Sequence, residues 1–571
     1  MAKNFKCWPD QWAKTLNYPE RPVHFFLADT AERVPNRIAI HFGGMVLTYS
    51  ELKTLVDYFA SALHAQGVGK GERVAIHLPN MPQFAIAYYA AMKIGAVFTP
   101  LSPLLSPQEA SYQLNDSGAG TLLSLDLLYP NIQSIMADTS VKRVISTSIA
   151  DCFNALIAPI KPVGKQPVPD TLDMAELIKD HPNEPPEADI DVHKDLAHLA
   201  YTGGTTGVPK GVMLTHRNVV CNTFQFACWL NGAQQIEMKD NRVELVYPEG
   251  VDPDRDRPTQ RDRETGLVVV PWFHAMGTVG YLNNMVFSGT TMVVFPRFDP
   301  KEYLEAVNKF SATTLGGAPQ LYGPLINMPE FEQYDLSGVK LIASGAGPLP
   351  RTVLAAMRKS FPSSVVVEAY GLTECTMGAA ANPPINELTR VGSVGLPVAD
   401  TEIKIVDIVT GENLPPGSEG EICIRGPQVM VGYWHRPEAT AEVLKDGWLY
   451  SGDIGMEDED GYFYITDRKK DMIIYKGYNV YPRELEEVLY THPAVEMCAV
   501  IGKPDTRAGE IPVAFVQLKK AAQTEAEALI AHVNQQVAAY KKLREVIFVE
   551  KVPVSETGKV LKKKLKEQLP G

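Results

Sequence analysis

The residues best placed to do chemistry form one short run. From Tyr201 to Asn218 the chain reads YTGGTTGVPKGVMLTHRN, and Thr202 to Gly207 hold only threonine and glycine. Glycine lets a backbone turn tightly and bring successive N–H groups up to a bound anion. Thr202, Thr205 and Thr206 add hydroxyl donors, and Lys210 adds a positive charge. Such a loop suits a polyphosphate. It lacks the Gly-Lys-Ser/Thr spacing of the Walker A loop. Gly, Thr and Pro are also ordinary residues of a mobile surface turn, so composition alone leaves both readings open.

The order of the residues resembles the phosphate-binding signature of the AMP-forming acyl-adenylate enzymes, Thr-(Ser/Thr)-Gly-Thr-Thr-Gly-x-Pro-Lys-Gly. That superfamily includes acyl-CoA synthetases, adenylation domains of peptide synthetases and firefly luciferase. Gly203 stands where the pattern has Ser or Thr, which removes one hydroxyl. Fatty acyl-CoA ligases of the family are similar in carrying glycine there. The resemblance assigns Thr202, Gly203, Gly204, Thr205, Thr206, Gly207 and Lys210 to ATP, with Thr202 also toward its Mg²⁺.

Further motifs follow in the family's order. Pro271-Trp-Phe-His-Ala-Met-Gly277 follows a buried strand, where open α/β sheets place their sites. Alone, His274 reads more readily as a packed or partly exposed side chain. By resemblance this segment borders the acyl pocket, which would take in His274, Gly277, Gly317 and Gly371. Two glycine-rich turns, Ser344-Gly-Ala-Gly-Pro-Leu349 and Tyr370-Gly-Leu-Thr-Glu374, resemble the adenine wall, implying contacts from Gly345, Ala346, Gly347, Tyr370 and Gly371. Tyr370 offers an aromatic face for stacking. Thr373 would donate to the α-phosphate, and Glu374 would give Mg²⁺ a hard oxygen ligand.

Trp448-Leu-Tyr-Ser-Gly-Asp453 ends in a carboxylate able to accept two hydrogen bonds, which suits ribose hydroxyls. Ser451 replaces the family's usual threonine and keeps its hydroxyl. The run DRKKDMIIYKGYNVYPRELE, Asp467 to Glu486, resembles the domain-junction motif. It implies that Arg468 contacts ribose or phosphate, that Lys470 is the hinge, and that Lys476, Gly477 and Tyr478 border the CoA channel. A pantetheine tunnel needs backbone without a side chain, as Gly477 supplies. Pro553-Val-Ser-Glu-Thr-Gly-Lys559 matches the C-terminal signature and makes Lys559 the catalytic lysine, acting with Glu374 and Thr373. The basic tail from Lys562 to Lys566 reads as a solvated helix face.

Size and composition bound the rest. A chain of 571 residues is too long for one core. Hydrophobic content of 45% and charged content of 21% are those of an ordinary globular protein. Net charge of -13 argues against a general nucleic-acid binder. Seven scattered cysteines without a CxxC pair read as reduced thiols, not a zinc site or a disulfide frame. The start, MAKNFKCWPDQWAK, has no apolar signal core. The apolar run Phe84 to Leu101 is broken by Lys93, Gly95 and Pro100, so it predicts a helix and then a strand, not a membrane span. A cytoplasmic chain, monomer or homodimer, is expected, with a peripheral membrane contact left open.

The elements that must position these motifs alternate. Thr48 and Glu51 predict a capping box for a helix carrying Leu52, Leu55, Val56, Phe59 and Leu63, and Ser106-Pro107-Gln108-Glu109 predicts another helix start. Strands are expected over 73–78, 96–99, 122–125, 141–146, 196–202, 267–271, 291–295, 312–315 and 339–343. Residues 159–186 read as a connection, and the charged stretch 238–264 as an exposed insertion. Short strands after about Gly395 suggest a small β-barrel-like subdomain. The fold class is therefore α/β: a large N-terminal domain (1–469) of doubly wound α/β subdomains plus the barrel-like one, then a small mobile α+β domain (470–571).

The resemblance implies an AMP-forming acyl-CoA synthetase using ATP, Mg²⁺ and coenzyme A. A carboxylate attacks the α-phosphorus to give acyl-AMP and pyrophosphate, and the CoA thiol then displaces AMP. The acid is read as a medium- to long-chain fatty acid, with an aromatic or alicyclic acid as runner-up. Operation in the ATP-forming direction, a carrier-protein loader, a luciferase-type oxygenase and a non-catalytic nucleotide binder are the alternatives.

Overall fold

The computed structural model describes residues 8–9, 12–151, 165, 167–202, 208–326, 328–347, 349, 351–476, 478–505, 507–520, 522–554 and 560–569. Gly203, Gly204, Thr205, Thr206, Gly207, Gly477 and Lys559 lie outside them.

Two large sheets carry most of the chain. One orders its strands Leu396–Pro397, Ala380–Ala381, Val365–Tyr370, Leu341–Ser344, Thr314–Gly317, Thr265–Val268, Thr291–Val294, Ile38–Phe42 and Met45–Thr48. The six from Val365–Tyr370 to Ile38–Phe42 pair in parallel, and antiparallel strands finish both edges. The other orders Gly432–Tyr433, Gly211–Thr215, Leu196–Tyr201, Val97–Pro100, Arg73–His77, Thr121–Leu125, Arg143–Thr147 and Leu172–Asp173. Parallel strands need both faces covered, hence their near-continuous burial.

The local signals explain the helices between. Thr48 accepts from the Glu51 N–H while Glu51 reaches back to Thr48, starting Tyr49–Ala65, and Ser106 and Glu109 do the same for Pro107–Ser117. All five apolar positions expected on the first helix are buried against one continuous core.

Four expectations need correction. Residues 159–186 are more than a connection, since Leu172–Asp173 adds an edge strand and Met174–Asp180 a helix whose Asp173 cap takes two backbone donors. Gly211–Thr215 is an extra strand, antiparallel to Leu196–Tyr201, so the phosphate loop closes a hairpin. The stretch 238–264 is only partly exposed. It forms the hairpin Gln235–Lys239/Arg242–Val246, and Arg261 then turns inward to Asp29 at 2.9 Å, burying Glu264 beside it. The barrel-like unit is a five-stranded antiparallel sheet of Glu402–Val406, Gly420–Arg425, Leu444–Lys445, Trp448–Glu457 and Phe463–Arg468, with no closure among the described residues. A last sheet, with strands from Ile473–Tyr475 to Glu545–Phe548, packs on the helices Pro482–Tyr490 and Ala526–Asn534. The architecture is mixed α/β, a large N-terminal part with parallel sheets and a smaller C-terminal part.

Candidate active site

The nucleotide motifs meet where parallel strands end, the place open α/β sheets use for ligands. The neck of the phosphate loop is held by Thr202 N donating to Lys210 O at 3.1 Å. A brace that the sequence did not reveal grips both flanks. Tyr201 Oη donates to Asp116 Oδ2 at 2.8 Å, Tyr112 Oη to Pro209 O at 2.9 Å, and Arg436 pairs with Asp116 Oδ1 at 2.7 Å. Lys210 Nζ lies 4.8 Å from the centre of the Tyr433 ring.

Tyr433 also donates its hydroxyl to Glu374 Oε1 at 2.7 Å. Burial and then the Glu374 charge push its own pKa upward, so it stays a donor. One positioned carboxylate beside a phosphate loop fits Mg²⁺, which takes one or two carboxylates plus substrate phosphates and keeps several waters. Groups of three or more His, Cys, Asp or Glu suited to a metal are absent among the described residues. Thr373 and Glu374 share the short turn Thr373–Cys375, and burial pushes the Cys375 thiol up to about 12, which removes it as a nucleophile.

A second network stands opposite. Tyr370 Oη donates to Asp453 Oδ2 at 2.8 Å, and Asp453 Oδ1 meets Arg468 Nε at 3.2 Å. Asp453 and Arg468 face each other across one antiparallel pair. The Ser451 hydroxyl accepts from Asp453 N–H at 3.1 Å. Gly345, Ala346 and Gly347 follow strand Leu341–Ser344, with Ala346 at φ +65° in the left-handed region. Gly371 admits no side chain, since a Cβ there would lie 1.9 Å from Met377 O.

Below this wall lies a cavity. Its walls are Phe226, Met276, Tyr281, Met285, Leu315 and Met377. Met276 and Tyr281 come from a π-helix, Met276–Asn283, whose wider turn is a device common at functional sites. The cavity takes neighbours of the expected pocket residues. Met276 and Gly280 line it where His274 and Gly277 were expected; His274 packs on Phe273, and a Cβ on Gly277 would meet Pro271 O at 1.9 Å. Gly317 lies at the end of its strand against Leu321. The lining also includes Gln260 and Glu264, which composition had placed on the surface.

At the junction, Lys469 is bolted down: its Nζ meets Glu421 Oε2 at 2.8 Å and its N–H donates to Gly452 O. Lys470 follows, exposed. Arg483 donates through its backbone N–H to Asp467 Oδ2 at 3.1 Å and through Nη1 to Ile465 O. Burial, opposed by Lys562, pushes Asp467 up to about 6. Lys562 is no solvated residue, for its side chain is 15% exposed and pairs with Glu486 at 3.0 Å. Lys476 is exposed at φ +51°, and exposed Tyr478 stacks on Tyr540.

Comparison with known proteins agrees with this arrangement. Residues 27–434 match the AMP-binding enzyme model, and 484–559 match the AMP-binding enzyme C-terminal domain. A long-chain-fatty-acid–CoA ligase of Bacillus subtilis is 37% identical, covering 98% of this chain and 97% of its own. A feruloyl-CoA synthase of an Amycolatopsis species is 34% identical, covering 93% and 96%. The crystal structure of the anthranilate CoA ligase AuaEII with anthranoyl-AMP superimposes with a TM-score of 0.83 at 26% identity, covering 96% and 98%. The chain belongs to the family of AMP-binding enzymes, among its AMP-forming ligases.

Proposed function

We propose that this ligase activates a hydrophobic carboxylic acid, a medium- to long-chain fatty acid in the first place, and transfers the acyl group to coenzyme A. The observation that carries the reading is the cavity walled by apolar side chains directly below the nucleotide wall. Ligand pockets are lined mostly by such side chains. The fatty-acid ligase relative supports the same class.

A free carboxylate is a poor electrophile. Its oxygen attacks the α-phosphorus of ATP, pyrophosphate leaves, and the acyl-AMP carries a good leaving group. The CoA sulfur then attacks the acyl carbon, AMP departs with the C–O electron pair, and a thioester remains. Glu374 and Thr202 would hold Mg²⁺, which would supply positive charge for the departing pyrophosphate. Lys559 stabilises the charge that builds on phosphorus during attack. Tyr370 orders the adenine, while Asp453 and Arg468 order the ribose. Two chemistries at one place call for the C-terminal part to turn about Lys470, bringing first Lys559 and then the Lys476–Tyr478 face to the site. The fixed Lys469 supports a pivot there.

An aromatic or alicyclic acid is the second reading, favoured by a lining that covers only a short length of these strands. It runs from the level of the Thr314–Leu341 pair to Ser344, whose partner in register is Gly317. Three residues of strand separate the levels, ~10 Å. Acid-dependent ATP–pyrophosphate exchange across straight-chain, alicyclic and aromatic acids, repeated with CoA, tests both. Exchange without thioester would sink the CoA-ligase reading in favour of a carrier-protein loader.

A further inference from the structure

The floor of the cavity is not built like its walls. Asn231, Gln260, Glu264, Asn284, Ser288 and Thr290 gather there from three separate segments. Five buried side-chain polar atoms of residues lining this cavity lack a hydrogen-bond partner among the described residues. They are Asn231 Oδ1, Glu264 Oε2, Tyr281 Oη, Asn284 Nδ2 and Ser344 Oγ. Native interiors pair nearly all such atoms, so a cluster of exceptions at one cavity marks a missing partner.

Two of the atoms have a fixed chemical sense. Asn231 Nδ2 donates to Ala227 O at 2.8 Å, which orients its Oδ1 as an open acceptor. Glu264 Oε1 accepts from Gln260 N–H at 2.9 Å and from Lys340 Nζ at 3.1 Å, leaving Oε2 as a second acceptor. The lysine pairs with this carboxylate, whose side chain is only 3% exposed. Both acceptors lie at the end remote from the strand termini, on the level of Thr314. Nothing on a plain alkyl or phenyl terminus can satisfy them.

We infer that the acid carries a hydrogen-bond donor, a hydroxyl in the first instance, at the end remote from its carboxyl, and that Asn231 and Glu264 are the specificity-determining residues that accept it. The inference rests on the cavity being the acyl pocket. It names a substrate class that an apolar pocket alone would not select: a site built to hydrogen-bond a hydroxyl rejects the analogue lacking it, because the buried acceptors are left unpaired.

The test measures acid-dependent pyrophosphate release by the full chain with matched pairs of acids, one member bearing a terminal hydroxyl. Straight chains of eight to twelve carbons and 3-phenylpropionate against 3-(4-hydroxyphenyl)propionate would serve. The expected result is a preference of about tenfold or more in kcat/KM for the hydroxylated member of at least one pair. Asn231→Leu and Glu264→Gln should each cut that preference at least threefold, lowering use of the hydroxylated acid more than that of its parent, with KM for ATP unchanged. Equal use of both members by the wild-type protein, as a water-filled floor would give, overturns the inference alone, and so does a preference that survives both variants. Pyrophosphate release with none of the acids overturns the ligase reading and the inference with it.

Discussion

The two ends of this site are built on opposite plans. At the nucleotide end the polar groups are tied to one another before any ligand arrives: Tyr370 to Asp453 to Arg468, Tyr433 to Glu374, Tyr201 to Asp116 to Arg436. At the acyl end the walls are apolar, and the floor holds polar atoms with no partner among the described residues. The nucleotide end meets one fixed partner, so pre-paired donors and acceptors lower the cost of ordering it. On the reading proposed above, the acyl end leaves its hydrogen bonds to the substrate.

If the plans are separable, substitutions at the nucleotide end should change adenylation and leave the preference among acids alone. The largest effect is expected at Lys559. Lys559→Ala should slow adenylation by about a hundredfold to a thousandfold while sparing thioester formation from supplied acyl-AMP. Equal loss in both half-reactions would reject that division. Asp453→Asn comes next. It weakens charge-assisted bonds to Tyr370 and Arg468 and should raise KM for ATP by roughly tenfold or more, with the ranking of acids unchanged. A re-ranked acid series would break the separation.

Tyr433→Phe is a finer cut. It removes only the hydroxyl that holds Glu374 Oε1 and keeps the ring under Lys210. The Mg²⁺ concentration for half-maximal rate should rise about threefold to tenfold, and calorimetry with Mg²⁺ and a non-hydrolysable ATP analogue should show the same loss of affinity. An unchanged Mg²⁺ dependence would make Tyr433 a packing residue.

The same contrast explains what the sequence made legible. Helix starts such as Thr48–Glu51 were readable because cap and partner lie three residues apart. The nucleotide residues were readable because each motif is contiguous. Their partners were not: Tyr433 meets Glu374 across 59 positions, and Tyr201 meets Asp116 across 85. Two-residue strands such as Leu172–Asp173 carry no periodicity to detect. The cavity floor was hidden most deeply. Glu264 ends a run of charges that composition assigns to solvent, and only the inward turn of Arg261 toward Asp29 carries it into the core.

One buried acid at the nucleotide end has no ion pair among the described residues and sharpens the comparison. Glu368 precedes Tyr370 by two positions on the same strand, and burial, opposed by Arg483 of the C-terminal part, pushes its pKa up to about 7. A carboxyl raised in the folded state binds its proton more tightly folded than unfolded. Its contribution to stability is therefore complete below its ordinary value of 4.5 and is lost as the pH rises through about 7. Asp467, pushed up to about 6, acts in the same direction on the same junction. Buried His24, His77, His198 and His216, held well below the ordinary histidine value by burial, act in the opposite direction, so the readout is the difference between the two proteins. Glu368→Gln cannot ionise, so it should gain on the wild type as the pH rises from 5 to 8. Melting curves for both proteins at pH 5, 6, 7 and 8 decide the matter. Parallel pH profiles would mean that Glu368 ionises at no cost, and that the nucleotide end is paired throughout, without the exception this residue represents.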